Sequence, residues 1–328
     1  MNFMDINQTD HCLLFHCPER SVSTAVYVLL YVSAAAVVLL TVCGNLLIII
    51  SVCHFKQLHT PTNMLILSLA VSDFLVGLLV IPIAIIWMVE SCWIFNSLFC
   101  ICFMLTSYFV TSTSIYNIAL IAVDRYFALS NPFLYTKAVS VNRMCFVLLC
   151  DWCILFTYNL AVHYFNRNFK SLVLCPGDCF LALDEVWSLA DLIVIFVLPC
   201  TLIITLYALV FFIAKKHATA IRDLNIQTRI HTSKNNISMK SERKAAKVLG
   251  IVVSVFLACL FPYFIYSLLG KVITVEVEAF QKVLVLVYLN STINPVIYAL
   301  FYPWFRRCVK LILTLQILKT DSALITVL

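Results

Sequence analysis

Acids and amides recur in this chain where the surrounding residues are almost wholly apolar. Asp73, Asp151 and Asp191, with Asn45, Ser114, Asn117, Asn290, Ser291 and Asn294, all lie inside long hydrophobic runs. A polar or ionisable group in such a setting is costly unless it has a partner or a function. Asp73, Ser114, Asn290, Ser291 and Asn294 fall at similar depth on three different runs. They can form one polar cluster able to hold water or a sodium ion, although hydrogen bonds that glue helices together account for the same residues. Asp124-Arg125-Tyr126 ends the run that carries Ser114 and is followed by Pro132. Arg125 has Asp124 as one acidic partner and Glu242, at the base of a later run, as a second; two partners for one guanidinium make a switch. Asp191 sits in Trp187-Ser188-Leu189-Ala190-Asp191-Leu192-Ile193, with no Lys or Arg beside it. It is either a counter-ion for a bound cation or an acid that snorkels to the outer interface or pairs with a local donor. Asp151 adjoins Trp152, and its residues suggest no function.

The elements that carry these groups follow from composition. Of 328 residues 63% are hydrophobic and 12% charged, against about 25% charged in an ordinary soluble domain. Apolar runs near 26–53, 64–88, 98–123, 144–162, 186–214, 248–270 and 283–302 are each long enough for a membrane helix of about 20 residues. Lipid leaves no unpaired backbone group, and the ten-residue alternation of a barrel is missing, so the expected fold is an all-α bundle of seven transmembrane helices. The first run is longer than a leader's apolar core and has no basic flank before it, so it is expected to be a retained span. Basic residues cluster after span five (Lys215, Lys216, Arg222, Arg229, Lys234, Lys240, Arg243, Lys244, Lys247) and after span seven (Arg306, Arg307, Lys310). Both segments are therefore expected inside the cell and the amino terminus outside. The expected organisation is an extracellular tail over 1–23, a seven-helix domain over 24–302, and a short amphipathic helix with a cytoplasmic tail over 303–328. Asn7, in Asn7-Gln8-Thr9, is then the sequon exposed to glycosylation.

The net charge of +6 does not point to nucleic acid. Its basic residues are those that topology places inside, where anionic lipid and a cytoplasmic partner are the expected contacts. Most of the fifteen cysteines are isolated in apolar runs and read as small hydrophobes. Cys150 and Cys153 flank Trp152 within a span, without a second pair or a His for zinc. Cys12, Cys17, Cys92, Cys100, Cys175 and Cys179 lie in or next to extracellular segments, where disulfides persist. No nucleophile, base and orienting acid can be assembled, and no phosphate-binding loop is present, so an enzyme is not expected. Seven apolar spans alone would also suit a transporter or channel, but matching broken helices and charged pore rings are absent.

In order along successive spans come Gly44-Asn45, Leu69-Ala70-Val71-Ser72-Asp73, Asp124-Arg125-Tyr126, Trp152, Pro199 with Tyr207, Phe256 with Pro262, and Asn294-Pro295-Val296-Ile297-Tyr298. This set resembles the signature of rhodopsin-like, G-protein-coupled receptors and covers residues 24–314. The run from Asn290 to Phe305 is similar to the fingerprint of trace amine-associated receptors. His54 to Asn63, Val89-Glu90-Ser91-Cys92-Trp93 and Cys175-Pro176-Gly177-Asp178-Cys179 resemble the same group. The resemblance implies bridges from Cys100 to Cys179 and from Cys17 to Cys175, with Cys12 the weaker candidate for the second. It also implies coupling through Asp124, Arg125, Tyr126, Tyr207, Glu242, Phe256, Pro262, Asn294, Pro295 and Tyr298. Detection of small amines, a stimulatory heterotrimeric G protein, the plasma membrane and olfactory cilia belong to the same implication.

Two positions depart from the pattern. Aminergic receptors usually carry an Asp eighteen residues before the Arg of Asp-Arg-Tyr; here that residue is Ser107. Asp191, eight residues before Pro199 and about two turns toward the outside, resembles the acidic contact that some fish-type members place on helix five. Leu260 stands two residues before Pro262, where the family usually has Trp. The expected ligand site is Asp191 and Tyr288 with Ser107, Tyr108, Thr111, Trp187, Tyr263 and Phe264; Tyr266 is a further aromatic at similar depth. An aromatic face toward an ammonium contributes about 0.5–2 kcal/mol. One acid favours a monoamine over a diamine. The absence of an acid at Ser107 keeps a peptide or lipid ligand as the alternative. No cofactor is expected beyond a sodium ion at the polar cluster.

Overall fold

The computed structural model describes residues 23–90, 92–165, 172–173, 179–181, 185–227, 250–263, 265–266, 277–319 and 322–327. Six helices are long and apolar enough to cross a membrane, and a shorter apolar helix adds to them. In chain order they are α1 (Thr24–His54), α2 (Pro61–Glu90), α3 (Ser97–Ser130), α4 (Val141–Phe165), α5 (Val186–Ile213, continuing helically to Gln227), α6 (Gly250–Tyr263) and α7 (Val277–Phe301). The expected seven-helix architecture is the one found. α8 (Pro303–Leu313) follows, with Trp304, Phe305 and Cys308 buried and Arg306, Arg307 and Lys310 exposed. This is the amphipathic division of a helix lying along a membrane surface. A two-residue antiparallel pair, β1 (Leu172–Val173) with β2 (Phe180–Leu181), stands in the second outer loop.

Local sequence sets the ends. Thr60 caps α2 by accepting from the Asn63 amide, with Pro61 in the first turn. Asn96 caps α3 by accepting from the Phe99 amide at 2.8 Å. Both use a side-chain oxygen to satisfy a donor that the helix leaves open. Pro132 and Pro303 each open a helix, where a missing amide hydrogen costs nothing. α2 and α5 each contain a π-helical stretch, Val76–Val80 and Leu192–Val197.

The apolar faces divide between lipid and bundle. Phe146, Leu149 and Ile154 on α4 are 67%, 63% and 66% exposed, as a lipid-facing surface requires. The inner core gathers Ile48, Leu65, Leu69, Ile118, Ile203 and Phe256, and an outer cluster gathers Val80, Trp87, Trp93, Phe103 and Tyr288. Hydrocarbon gives helices little hydrophobic reason to associate, so small residues and hydrogen bonds do the joining. A Cβ on Gly77 would sit 2.8 Å from the Thr41 methyl, so α1 and α2 meet closely there. Asn45 Nδ2 donates to the Ser291 carbonyl at 3.1 Å, and the Thr41 and Thr292 hydroxyls are 2.6 Å apart, tying α1 to α7. The Trp152 indole donates to Ser68 Oγ at 2.9 Å, tying α4 to α2.

Candidate functional site: an outer cavity, a buried carboxylate and a cytoplasmic network

Asp191 closes the first α-helical stretch of α5, Glu185–Asp191, just before the π-helical segment. Among the described residues the only ion pair is Arg125 with Asp124, so no cation neutralises Asp191 there. The Tyr158 hydroxyl from α4 donates to its Oδ1 at 3.4 Å. Tyr108 on α3 lies within electrostatic range of Asp191, Tyr263 and Tyr288. Tyr108 is thus the neighbour that Asp191, Tyr263 and Tyr288, from α5, α6 and α7, have in common. Ser107 is 5% exposed and its hydroxyl donates back to the Phe103 carbonyl at 2.7 Å, with Tyr288 close by on α7.

Tyr288 forms a wall of two cavities. One, a narrow space, is lined by Ala84, Trp87, Phe103, Met104, Leu284, Val285 and Tyr288. The other, also narrow, runs deeper past Thr111, Phe256, Leu260 and Val287 to Ser114, Asn290 and Ser291. Thr111 therefore lines the deeper space, and its hydroxyl has no hydrogen-bond partner among the described residues. Trp187 stacks on Phe165 with ring centres 6.3 Å apart and planes 10° from parallel, at the outer ends of α4 and α5. Phe264 lies outside the described residues. Tyr158, Trp87, Phe103 and Met104 escaped the sequence reading. Trp87 and Met104 carried a signal, since each lies on the outer part of a span whose inner part bears Asp73 or Arg125.

Beneath the cavities Asp73 is fully buried. Its Oδ1 accepts from Ser114 Oγ at 3.2 Å and Ser291 Oγ at 2.8 Å, and its Oδ2 accepts from Asn294 Nδ2 at 2.7 Å. The cluster read from the sequence is real in geometry: α2, α3 and α7 meet on one carboxylate. Asn290 joins the cavity lining rather than the carboxylate, and the side-chain oxygens of Asn290 and Asn294 are buried without a hydrogen-bond partner among the described residues. One carboxylate, two hydroxyls and the orphaned oxygen of the Asn294 amide are hard-oxygen donors of the kind that suits a small hydrated cation.

At the cytoplasmic end Arg125 Nε donates to Asp124 Oδ2 at 3.0 Å, and its Nη2 also bonds Asp124 and Thr62. Thr62 Oγ1 donates to the same oxygen at 2.9 Å, while Tyr135 OH, from the short helix Pro132–Ala138, donates to Asp124 Oδ1 at 2.6 Å. Burial and the bond to Asp124 push the Tyr135 phenol up to about 12, so it remains a protonated donor. Glu242 lies outside the described residues. The Tyr207 and Tyr298 hydroxyls are buried without a hydrogen-bond partner among the described residues. Tyr298 is 1% exposed beside Tyr302, with ring centres 5.7 Å apart. Tyr126 packs on Phe127. Phe256 is buried, while Pro262, on the same helix, is half-buried; Pro295 lies inside α7. Thr62 and Tyr135 are partners of Arg125 and Asp124 that the motif itself does not reveal.

Outside, Cys100 at the start of α3 is bridged to Cys179 beside β2, with Cα atoms 5.8 Å apart. Cys92 is disulfide-bonded as well, to a partner outside the described residues. Cys17, Cys175 and Asn7 lie outside the described residues.

Residues 44–298 match the seven-transmembrane receptor (rhodopsin family) model. The chain is 40% identical over 280 residues to trace amine-associated receptor 13c of Danio rerio, covering 83% of this chain and 82% of that one. It is 35% identical to trace amine-associated receptor 1 of Macaca mulatta, covering 83% of each chain. It is also 35% identical to trace amine-associated receptor 4 of Mus musculus, covering 94% of this chain and 91% of the relative. With the seven apolar helices, the cluster on Asp73 and the Asp124-Arg125 network in place, this chain belongs to the rhodopsin family of seven-transmembrane receptors and, within it, to the trace amine-associated receptors.

Proposed function

We propose that the receptor detects a small monoamine arriving from outside the cell, with Asp191 as counter-ion to the ammonium and Tyr108, Tyr263 and Tyr288 as its aromatic surroundings. The observation that carries this reading is Asp191 itself: a carboxylate in an apolar helix, near Tyr158 and Tyr108 and unpaired with any cation among the described residues. An unpaired charge in that place is costly, and a ligand ammonium offsets the cost. Ser107 cannot serve as the anion. The names of the relatives, all trace amine receptors, support the same ligand class.

The family's small-molecule ligand and G protein frame the rest of the proposal. The G protein is of the stimulatory type, so the readout is cAMP. The receptor stands in the plasma membrane of olfactory cilia, glycosylated at Asn7, with the basic residues of α8 against anionic lipid. A sodium ion held by Asp73, Ser114, Ser291 and the amide oxygens of Asn290 and Asn294 acts as an allosteric ligand. The test is a cAMP assay of cells expressing the chain against mono- and diamines, with Asp191→Asn as control. Responses to monoamines that vanish in the variant support the reading; unchanged responses would move a peptide or lipid ligand ahead of it.

A further inference from the structure

Phenols on the two neighbouring helices hold Asp191 and the backbone just beyond it. Tyr108, Ser112 and Tyr116 are four residues apart on α3, so they form one stripe, and each makes a contact on α4 or α5. The Tyr108 ring centre is 5.7 Å from that of His163. Ser112 Oγ accepts from Asn159 Nδ2 at 3.2 Å. Tyr116 OH donates to the Val194 carbonyl at 2.8 Å, inside the π-helical segment that begins at Leu192. On α4, Asn159 Nδ2 also donates to the Leu155 carbonyl at 2.8 Å, and the Asn159 carbonyl meets His163 Nδ1 at 2.7 Å. Asn159 is 5% exposed, so α4 is pinned to α3 one residue away from Tyr158.

That pin fixes the height of the Tyr158 hydroxyl, which reaches across to α5 and donates to Asp191 Oδ1 at 3.4 Å. We propose that Tyr158 is a positioning residue for the amine counter-ion, orienting the Asp191 carboxylate so that Oδ2 faces the ligand. The inference rests on the reading of Asp191 as the amine contact. A carboxylate on two rotatable bonds can turn toward any donor, and a phenol on one oxygen removes that freedom before the ligand arrives. Preorganisation of this kind raises affinity by lowering the ordering cost of binding. Tyr158 itself touches no ligand; it acts through Asp191. Its effect is therefore the same for every amine, whatever the tail.

The test uses the full chain in cells, with cAMP and surface expression measured together and straight-chain primary monoamines of increasing length as probes. Tyr158→Phe, which removes only the hydroxyl, is expected to raise the half-maximal concentration about 5–10-fold, somewhat below the range for a hydrogen bond to a charged group because the contact is long. The increase should be equal along the series, with maximal response and surface level unchanged. Tyr158→Gln, which keeps a donor, should recover part of the loss. On an Asp191→Glu receptor, whose longer arm carries the carboxylate off the phenol, Tyr158→Phe should add less than about twofold, since the two residues act as one unit. An unchanged half-maximal concentration in Tyr158→Phe, a loss that depends on tail length, or full additivity with Asp191→Glu overturns the inference while leaving the role of Asp191 standing. Unchanged responses in Asp191→Asn would overturn the counter-ion reading and this inference with it.

Discussion

A Cβ built on Gly44 would lie 2.7 Å from the Cβ of Pro295. The obstacle is a ring atom of a residue locked into α7, so it cannot swing aside as the end of a flexible side chain would. Gly44 is therefore required by the approach of α1 to α7, the kind of close contact small residues permit in membranes. Gly44→Ala is expected to force the helices apart, weaken the Asn45 to Ser291 contact one residue on, and lower surface expression severalfold. Flow cytometry of a tagged receptor measures it; expression equal to the parent would show that α1 and α7 separate without cost.

Asp191→Ala and Asp191→Asn are expected to abolish amine responses at near-normal surface expression. Removing one member of a buried charge pair costs about 2–5 kcal/mol, or roughly 30-fold to several thousand-fold in affinity. Asp191→Asn is the stricter test, because it keeps size and hydrogen bonding and removes only charge. The companion Ser107→Asp places a second anion beside Tyr288 and should shift preference toward diamines in the same dose-response assay.

Arg125→Ala should weaken the cAMP response while leaving amine binding intact, since Arg125 and the cavity lie at opposite ends of α3. Radioligand binding and cAMP on the same cells decide it, and loss of both at normal expression would count against the role. Tyr135→Phe removes a donor from Asp124 Oδ1, leaving the carboxylate less well satisfied by about 1.5–3 kcal/mol. Basal cAMP should rise several-fold if this network restrains Arg125.

Agonist affinity in isolated membranes should depend on whether sodium or potassium is the added cation. In Asp73→Asn, which keeps the hydrogen-bonding shape and loses the charge, that dependence should disappear. A parent receptor indifferent to sodium would return the cluster to a purely structural role.

Peptide mapping without reduction should recover Cys100 joined to Cys179 and Cys17 joined to Cys175. Because Cys92 is also bridged, Cys12 is then the extracellular cysteine left for it. A peptide joining Cys92 to Cys175 would overturn the Cys17 assignment.

What the sequence disclosed depended on how local the cause was. Helix number followed from apolar length, because bilayer thickness acts on each run separately. Asp73, Ser114, Ser291 and Asn294 were recognisable as one group since each was costly alone and all shared a depth. Tyr158 was not legible: a tyrosine in an apolar helix is ordinary, and only its neighbour across the α4–α5 gap gives it meaning. Thr62 and Tyr135 escaped for the same reason, being unexceptional residues that converge on Asp124 from elsewhere in the chain. Cys92 was visible as an extracellular cysteine, yet nothing in its spacing marked it as bridged.

Asp191 and Tyr207 are sixteen positions apart on α5, which in an uninterrupted α-helix would point them about 160° apart, one inward and the other toward lipid. The π-helical stretch Leu192–Val197 takes up an extra residue between them, a rotation of about 100° that brings both to the bundle side. It works as a phase shifter: Asp191 and Tyr207 share a face only because the helix is overfilled in the middle. Deleting a single residue there would leave length, hydropathy and every named side chain almost untouched, yet twist the two out of register.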